Sequence, residues 1–468
     1  MFIDGKWILR DEIDVINPYD YKVIEKITAN SRDETKNAIK VAMENKEHMH
    51  KLSANNRYKI LMRLADAVSN NKDRFVKLLA IDAGKPVRQG RIEVDRSITT
   101  LRLSAFYAKE LRGETINSEN RLIYTKKEPL GVVGAITPFN YPLNLVVHKI
   151  APAIATGNTI VLHPSSKAPL SAILLTKLIE NTLKKMKIPL GVFNLVTGHG
   201  EVVGNEIATN ENVNMISFTG SVEVGQNIAK NAGMKKVALE LGGNNPLIVL
   251  EDCDIDKAVE NAVRSKFLNS GQVCISVGKV LVHEQIYDEF IEKLVDKTRD
   301  FNIGNPLEDS TDMGPLITSE NADRVENLIK TSISEGGELI TGGMRRDSLI
   351  SPTIISVKEN NTLLNVETFG PVLPVTKIIN MEHGLELANK GNYGLQAGVF
   401  TRDINKAMYI AENLNYGGVM INNSPTFRQE NMPFGGVKNS GLGREGIKYT
   451  VEEMTEDKTI VIHNDFRF

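Results

Sequence analysis

Four stretches of the 468-residue chain carry residue types that can do chemistry. "SGQVCISVGK", residues 270–279, holds Cys274, one of two cysteines, among small and polar neighbours. A thiol there is either a nucleophile once ionised or a small apolar filler beside a turn. "ALELGGNNP" ends an apolar run on Glu240, just before two glycines, which makes its carboxylate a positioned base or a solvated turn residue. "TPFNYP" brackets Asn140 between Pro138 and Pro142. The stiffened backbone offers that amide to its own turn or, as a donor, to an oxyanion. In "FTGSVEVG", residues 218–225, Gly220 permits a tight turn, and the amides after it would face an anion at a helix start. The stretch is not G-x-G-x-x-G, and glycines at such turns also serve steric needs alone.

The elements that must position these residues show in the periodicity. Residues 31 to about 112 read as helical: Ser31 followed by Glu34 is a capping-box signal, and Ile60, Leu61, Leu64 and Val68 fall on one face at helical spacing. "DAGKP" supplies the Gly and Pro that stop a helix. From 131 to 250 short apolar runs, "VVGAITP", "NTIVLHP", "VFNLVTG", "NMISFTG" and "KKVALELGG", alternate with helix candidates such as 169–184 and 221–232. A second such stretch follows, with strands "NPLIVL", "VGKVLVH", "PVLPVTKI", "AGVFT" and "GGVMIN" and helices at 256–268, 286–298, 319–334 and 404–414. This alternation predicts an α/β fold with parallel sheets covered on both faces. "NRLIYTKKEPLGVV" reads as an extended arm.

The totals exclude several classes. A net charge of −2 gives no basic face, so nucleic-acid binding is not expected. No Cys or His spacing resembles a metal site, and two cysteines cannot build a disulfide framework. No run of about 18 apolar residues exists, and the N-terminus lacks the apolar core of a signal peptide. A soluble, cytoplasmic protein with no membrane partner is expected.

Taken in order, these stretches, with "ETFGPVLPV" and "PFGGVKNSGLGREG" after them, resemble the aldehyde dehydrogenase superfamily over essentially the whole chain, from "DGKW" onward. The resemblance implies a Rossmann-type cofactor domain, an α/β catalytic domain and a small β oligomerisation arm. It makes Cys274 the nucleophile, Asn140 the oxyanion donor together with the backbone N–H of Cys274, and Glu240 the base that hydrolyses a thioester. It places NAD or NADP on Thr137, Phe139, Thr219, Gly220, Ser221, Gly225, Glu367 and Phe369. Cys253, between carboxylates, reads as structural.

One departure concerns the adenosine end. The family's Lys-Pro-x-Glu is here "HPSSKAP", so His163 replaces the lysine and Ser166 the glutamate. With no carboxylate to repel a 2′-phosphate and Lys167 alongside, NADP is expected to serve at least as readily as NAD; alternatively His163 only hydrogen-bonds a ribose oxygen. By alignment Tyr141, Leu145, His148 and Arg428 wall the substrate tunnel, which suits a small polar or anionic aldehyde. Lactaldehyde, glyceraldehyde 3-phosphate and succinate semialdehyde are candidates, and Val273, where the triose-phosphate branch has Arg, disfavours the second. The "GQVC" and "NNSPTFRQENMPFGG" stretches are most similar to lactaldehyde-oxidising members.

The resemblance further implies a cofactor domain over residues 1–118 and 131–241, a catalytic domain over 242–447, and an arm from 119–130 and 448–468. A two-stranded arm is marginal alone, so a homodimer or homotetramer is expected. The rival readings are a catalytically inactive structural relative, which would have lost Cys274, Glu240 or Asn140, and an acylating or reductive enzyme, which Glu240 opposes.

Overall fold

A computed structural model describes residues 1–119 and 121–463. Asn120 and Asn464–Phe468, within the expected arm, lie outside the described residues.

The short apolar runs fold as two sheets. The first places its strands in the order Lys6–Trp7, Phe2–Ile3, Phe193–Leu195, Thr159–Pro164, Val132–Thr137, Met215–Thr219, Lys236–Glu240 and Gly441–Leu442. The five central strands are parallel, and counted along the chain they run 3-2-1-4-5. That order reverses between Val132–Thr137 and Met215–Thr219, which opens a crevice at their carboxyl ends. Both faces are covered. Ala54–Asn70, Val87–Glu110, Asn144–Thr156 and Leu170–Lys185 bury one apolar set, with Ile60, Leu61, Leu64 and Val68 inside as their spacing predicted. Arg32–Glu44, Val203–Thr209 and Val222–Asn231 bury the other. The Ser31–Glu34 capping box forms, and Gly84 ends its helix in the left-handed conformation at φ 67°.

The second sheet is ordered Glu338–Thr341, Thr353–Ser356, Val372–Ile378, Val277–His283, Asn245–Val249, Gln396–Phe400 and Gly418–Ile421, parallel except at its first strand. Ile255–Phe267 and Tyr287–Arg299 cover one face, and Met381–Asn389 and Ile404–Asn413 the other. Residues 241–244 carry the chain directly from the last parallel strand of the first sheet into Asn245–Val249.

A third sheet pairs Thr455–His463, Arg121–Pro129 and Thr115–Ile116 antiparallel. Within the expected C-terminal part of the arm, Ile447–Glu453 is a helix whose Ile447 and Val451 enter the core of the first sheet, and the strand runs from Thr455 to His463. Gly441–Leu442 pairs with Leu239–Glu240, so the stretch "NSGLGREG" reinforces the first sheet.

Candidate active site

Each strand end delivers one functional side chain. Val132–Thr137 runs out into Pro138–Asn140, and Lys236–Glu240 ends on the carboxylate itself. Cys274 arrives from the other sheet, just before Val277–His283. Asn140, Glu240 and Cys274 line one cavity of about 270 Å³. The turn before Cys274 is held in an uncommon shape: Asn269, Ser270 and Gly271 are all left-handed, at φ 50°, 59° and 74°. Gly271 is required there, because a Cβ would lie 2.2 Å from the Gly370 carbonyl oxygen. The strain is held by hydrogen bonds: Ser270 Oγ donates to Gly314 O at 2.7 Å, and Asn269 Nδ2 to Asn140 O at 3.1 Å. Asn140 Nδ2 donates to Gln272 O at 2.9 Å while its Oδ1 accepts from Tyr141 N–H. One N–H of that amide therefore points along the Cys274 loop and the other stays free for a substrate oxygen.

Burial dominates the electrostatics. It pushes the Cys274 thiol up to about 12, against the pull of Arg428 and with the push of Glu240, Glu367 and Glu445. It likewise raises Glu240 well above the usual carboxylate range, with Glu445 adding to the effect. Glu240 lines the cavity, and its Oε2 is buried with no hydrogen-bond partner. Glu445 stays ionised: burial opposes this, but Lys149 at 3.0 Å and Arg428 at 3.0 Å hold it down at about 2.

On the other wall Glu367 Oε1 accepts from Gly243 N–H at 3.1 Å. A Cβ on Gly242 would lie 2.0 Å from Glu367 Oε2, so glycine is what lets the carboxylate close over this turn. Burial lifts Glu367 to about 7 and lowers Lys266 to about 7. Lys266 Nζ donates to Thr368 Oγ1 at 2.8 Å, directly beside Glu367. Phe369, at φ 39°, turns its ring edge-on to Phe139, centroids 6.1 Å apart.

A second cavity of about 430 Å³ opens at the strand-order reversal and shares Pro138, Thr219 and Gly220 with the first. Thr137 Oγ1 and Thr219 Oγ1, at the ends of the two diverging strands, are buried without partners. Ser221 caps the helix Val222–Asn231, whose N-terminus meets this edge. Unpaired hydroxyls, a helix start and a crevice at the switch point fit a dinucleotide whose pyrophosphate crosses Gly220 and whose nicotinamide end reaches Glu367 and Phe369. His163 and Ser166 line the far end. His163 Nδ1 is 3.2 Å from Val196 O, and a carbonyl only accepts, so Nδ1 carries the proton and Nε2 is an acceptor. Burial lowers this imidazole to about 4, so it is neutral.

Six expected site residues, Lys167, Gly225, Tyr141, Leu145, His148 and Arg428, line neither of these cavities. Lys167 does not line this cavity: it faces a neighbouring depression with Thr318 and Glu320, its Nζ 5.7 Å from the Phe139 ring centroid. Gly225 lines neither cavity, and its missing Cβ makes room for Leu241, whose Cδ2 would be 2.4 Å away. His148 and Leu145 sit inside an entirely buried helix. Its chain folds that way because "NLVVHKIAPAIAT" is apolar around nearly its whole circumference. His148 Nε2 is 2.6 Å from Glu430 Oε2. Arg428 and Tyr141 do lie beside Cys274: Tyr141 packs in one apolar cluster with Val273, Phe434 and Cys274, and the Arg428 guanidinium stacks 3.8 Å above Phe434.

Sequence reasoning missed Lys266, Lys149, Glu430 and Glu445. A signal existed for two of them, because Lys266 and Lys149 occupy positions that the apolar stripes of their helices claim. Among the described residues no group of three or more His, Cys, Asp or Glu is placed to hold a metal.

The Aldehyde dehydrogenase family profile matches residues 7–460. A lactaldehyde dehydrogenase of Methanococcus maripaludis is 66% identical, covering 99% of this chain and all of that protein. A 3-sulfolactaldehyde dehydrogenase of Priestia aryabhattai is 39% identical over 99% of this chain and 98% of its own length. Among solved structures, glyceraldehyde-3-phosphate dehydrogenase GapN from Methanocaldococcus jannaschii, complexed with NADP, superposes with a TM-score of 0.97 at 57% identity, covering 98% of this chain and all of that one. A thiol, a buried carboxylate and an amide gather in this chain at a dinucleotide-shaped crevice, and the chain belongs to the aldehyde dehydrogenase family.

Proposed function

We propose that this protein oxidises a small 2-hydroxyaldehyde, lactaldehyde, to its carboxylic acid with NAD or NADP. The observation that carries the proposal is the convergence of Cys274, Asn140 and the unpartnered Glu240 carboxylate on one cavity. The relatives' named substrates support the choice, since all three are built on a three-carbon 2-hydroxyaldehyde.

Each residue has a separate task in the reaction. The Cys274 thiol, once deprotonated, adds to the aldehyde carbon, and the free N–H of Asn140 stabilises the oxyanion that forms. A dinucleotide held by Thr137, Thr219, Gly220, Ser221, Phe139, Glu367 and Phe369 supplies the two-electron acceptor. Loss of the aldehyde hydrogen with its electron pair leaves a thioester on Cys274. Glu240, its basicity raised by burial, takes a proton from water, the hydroxide attacks the thioester, and the acid leaves as the thiol is restored.

At the adenosine end, neutral His163 offers Nε2 to a ribose hydroxyl, and Ser166 places no charge against a 2′-phosphate. A substrate panel run with both cofactors tests the reading: lactaldehyde is expected to be oxidised, with kcat/KM for NADP at least equal to that for NAD. A preference for NAD of about a hundredfold, about 2.7 kcal/mol, would sink the adenosine-pocket assignment. Failure to oxidise lactaldehyde would sink the substrate.

We further propose a cytoplasmic homodimer or homotetramer assembled through the arm. Its exposed Ile116, Leu122, Val461 and Ile462 support this, as does its edge strand, which is open to another chain. The two free cysteines agree with a reducing compartment.

A further inference from the structure

Two bonds hold the Asn140 amide, and they come from different parts of the fold. Its Oδ1 accepts from Tyr141 N–H at 3.1 Å, on the turn that follows Val132–Thr137. Its Nδ2 donates to Gln272 O at 2.9 Å, on the loop that carries Cys274. The direction of the remaining N–H is therefore set by where that turn stands relative to that loop. Neither segment lies in a strand, so their register depends on what each is docked against.

The helix Val87–Glu110 docks both. Gln89, in its first turn, accepts at Oε1 from Asn269 N–H at 2.9 Å, on the Cys274 loop. Glu93, one turn further along the same face, is fully buried and accepts at Oε1 from Leu143 N–H at 3.0 Å and Asn144 N–H at 3.1 Å. These amides open the helix Asn144–Thr156, whose N-cap supplies no side-chain bond of its own. The other oxygen of Glu93 pairs with Lys85, also buried, whose Nζ lies 3.6 Å above the centre of the Tyr141 ring. The docking helix is itself anchored on two sides. Its apolar stripe packs in the core of the first sheet. Toward the second, Val87 N–H donates to Pro306 O at 2.9 Å and Gln89 Nε2 to Asp312 O at 2.9 Å. That is the segment whose Gly314 O receives Ser270 Oγ. Lys85, Gln89 and Glu93 line neither the catalytic nor the dinucleotide cavity, so whatever they do for the reaction passes through the groups they hold.

We propose that Gln89 and Glu93 are positioning residues that act through Asn140: one helix face holds the Asn140 turn and the Cys274 loop in register and so aims the free amide N–H at the oxyanion. The inference rests on the assignment of Cys274 as nucleophile and Asn140 as oxyanion donor. Glu93 serves through its acceptor oxygen and not through its charge, which Lys85 balances. Loss of that oxygen leaves two amides unpaired away from water, and the turn shifts to satisfy them.

The experiment follows a single turnover, with protein in saturating excess over lactaldehyde and NADP saturating, and reads the rate constant of reduced-cofactor formation. Lys85→Met accompanies every Glu93 change so that no buried charge is left alone. Glu93→Leu with Lys85→Met is expected to lower the rate constant about 10- to 100-fold, as a misplacement of about 1 Å does, and by no more than Asn140→Ala alone. Glu93→Gln with Lys85→Met is expected to stay within about threefold of wild type, because both amides keep a partner. NADP affinity is expected to be unchanged in both. In an Asn140→Ala background, Glu93→Leu with Lys85→Met is expected to cost less than about twofold, because the amide it aims is gone. Gln89→Met, at a half-buried position, is expected to show the same loss and the same dependence on Asn140, and it decides alone if the Glu93 variants do not fold. A purely structural role lowers the melting temperature and the active fraction but leaves the rate constant of the folded protein intact. That result overturns the proposal, as do equal losses with and without Asn140 or a loss confined to NADP affinity. An Asn140→Ala variant as fast as wild type, or a wild type that forms no reduced cofactor from lactaldehyde, overturns the underlying functional assignment instead.

Discussion

Cys274→Ala is expected to abolish aldehyde oxidation, lowering kcat/KM by at least about 10⁴-fold, while leaving dinucleotide binding intact. The expectation follows from what holds the loop. Its unusual turn is fixed by Asn269, Ser270 and Gly271, and the Cys274 carbonyl oxygen accepts from Asn245 Nδ2 at 2.8 Å. None of these contacts uses the thiol. Thr137 and Thr219 end strands of the first sheet and Glu367 lies in the loop before Val372–Ile378, so the proposed cofactor surfaces persist in the variant. Cys253 offers no substitute, because it is buried in the core of the second sheet, where burial with Asp252 and Asp254 beside it pushes its thiol up to about 12. Formation of reduced cofactor with lactaldehyde, alongside a cofactor-binding titration, makes the measurement. Residual turnover above about one hundredth of wild type would remove Cys274 from the role of nucleophile.

Glu240→Gln is expected to separate the two halves of the reaction. The variant should form about one equivalent of reduced cofactor per site in a burst and then slow by about 10²- to 10⁴-fold, the range a positioned general base supplies. The pH profile gives the independent signature. A base works when deprotonated, and burial raises Glu240 well above the ordinary carboxylate value. Wild-type turnover is therefore lost as pH falls through that raised pKa, far sooner than an exposed carboxylate would dictate, and the Glu240→Gln variant lacks this limb. Equal loss of the burst and the steady state would instead assign Glu240 to deprotonating Cys274.

The parts of the fold that were legible in the sequence are those where burial pattern and chain direction agree. Buried parallel strands read as unbroken apolar runs, and the helices at 169–184, 256–268 and 319–334 are found within a residue or so of those bounds. The site residues that could be read are strand-end residues such as Glu240 and Thr219, since a strand must end in a crevice when its neighbours diverge. His148, expected on a tunnel wall, is buried with its ring paired, since alignment carries position but not side-chain pairing. Its ring is taken by Glu430, 282 residues away, and no local pattern encodes that contact. Lys167 departs for a related reason: the residue next to a site residue on a turn need not face the same way. Glu445 was hidden in a glycine-rich stretch where no periodicity marks one face as buried.

The passage from the first sheet to the second has a consequence for how the enzyme's integrity can be followed. Residues 241–244 belong to no strand, yet Leu241 N–H donates to Ser440 O at 3.0 Å and Gly243 N–H to Glu367 Oε1 at 3.1 Å. The side chain of Asn244 donates to Leu364 O, and that of Asn245 to the carbonyl oxygens of Cys274 and Ser276. Deuterium uptake at Gly243 thus requires the bond to Glu367 to open, whereas uptake at Leu241, whose bond continues the Leu239–Leu442 ladder, reports the edge of the first sheet. The Gly243 amide serves as a built-in clock for the assembled site, ticking at the rate at which the Glu367 carboxylate parts from the turn that follows Glu240.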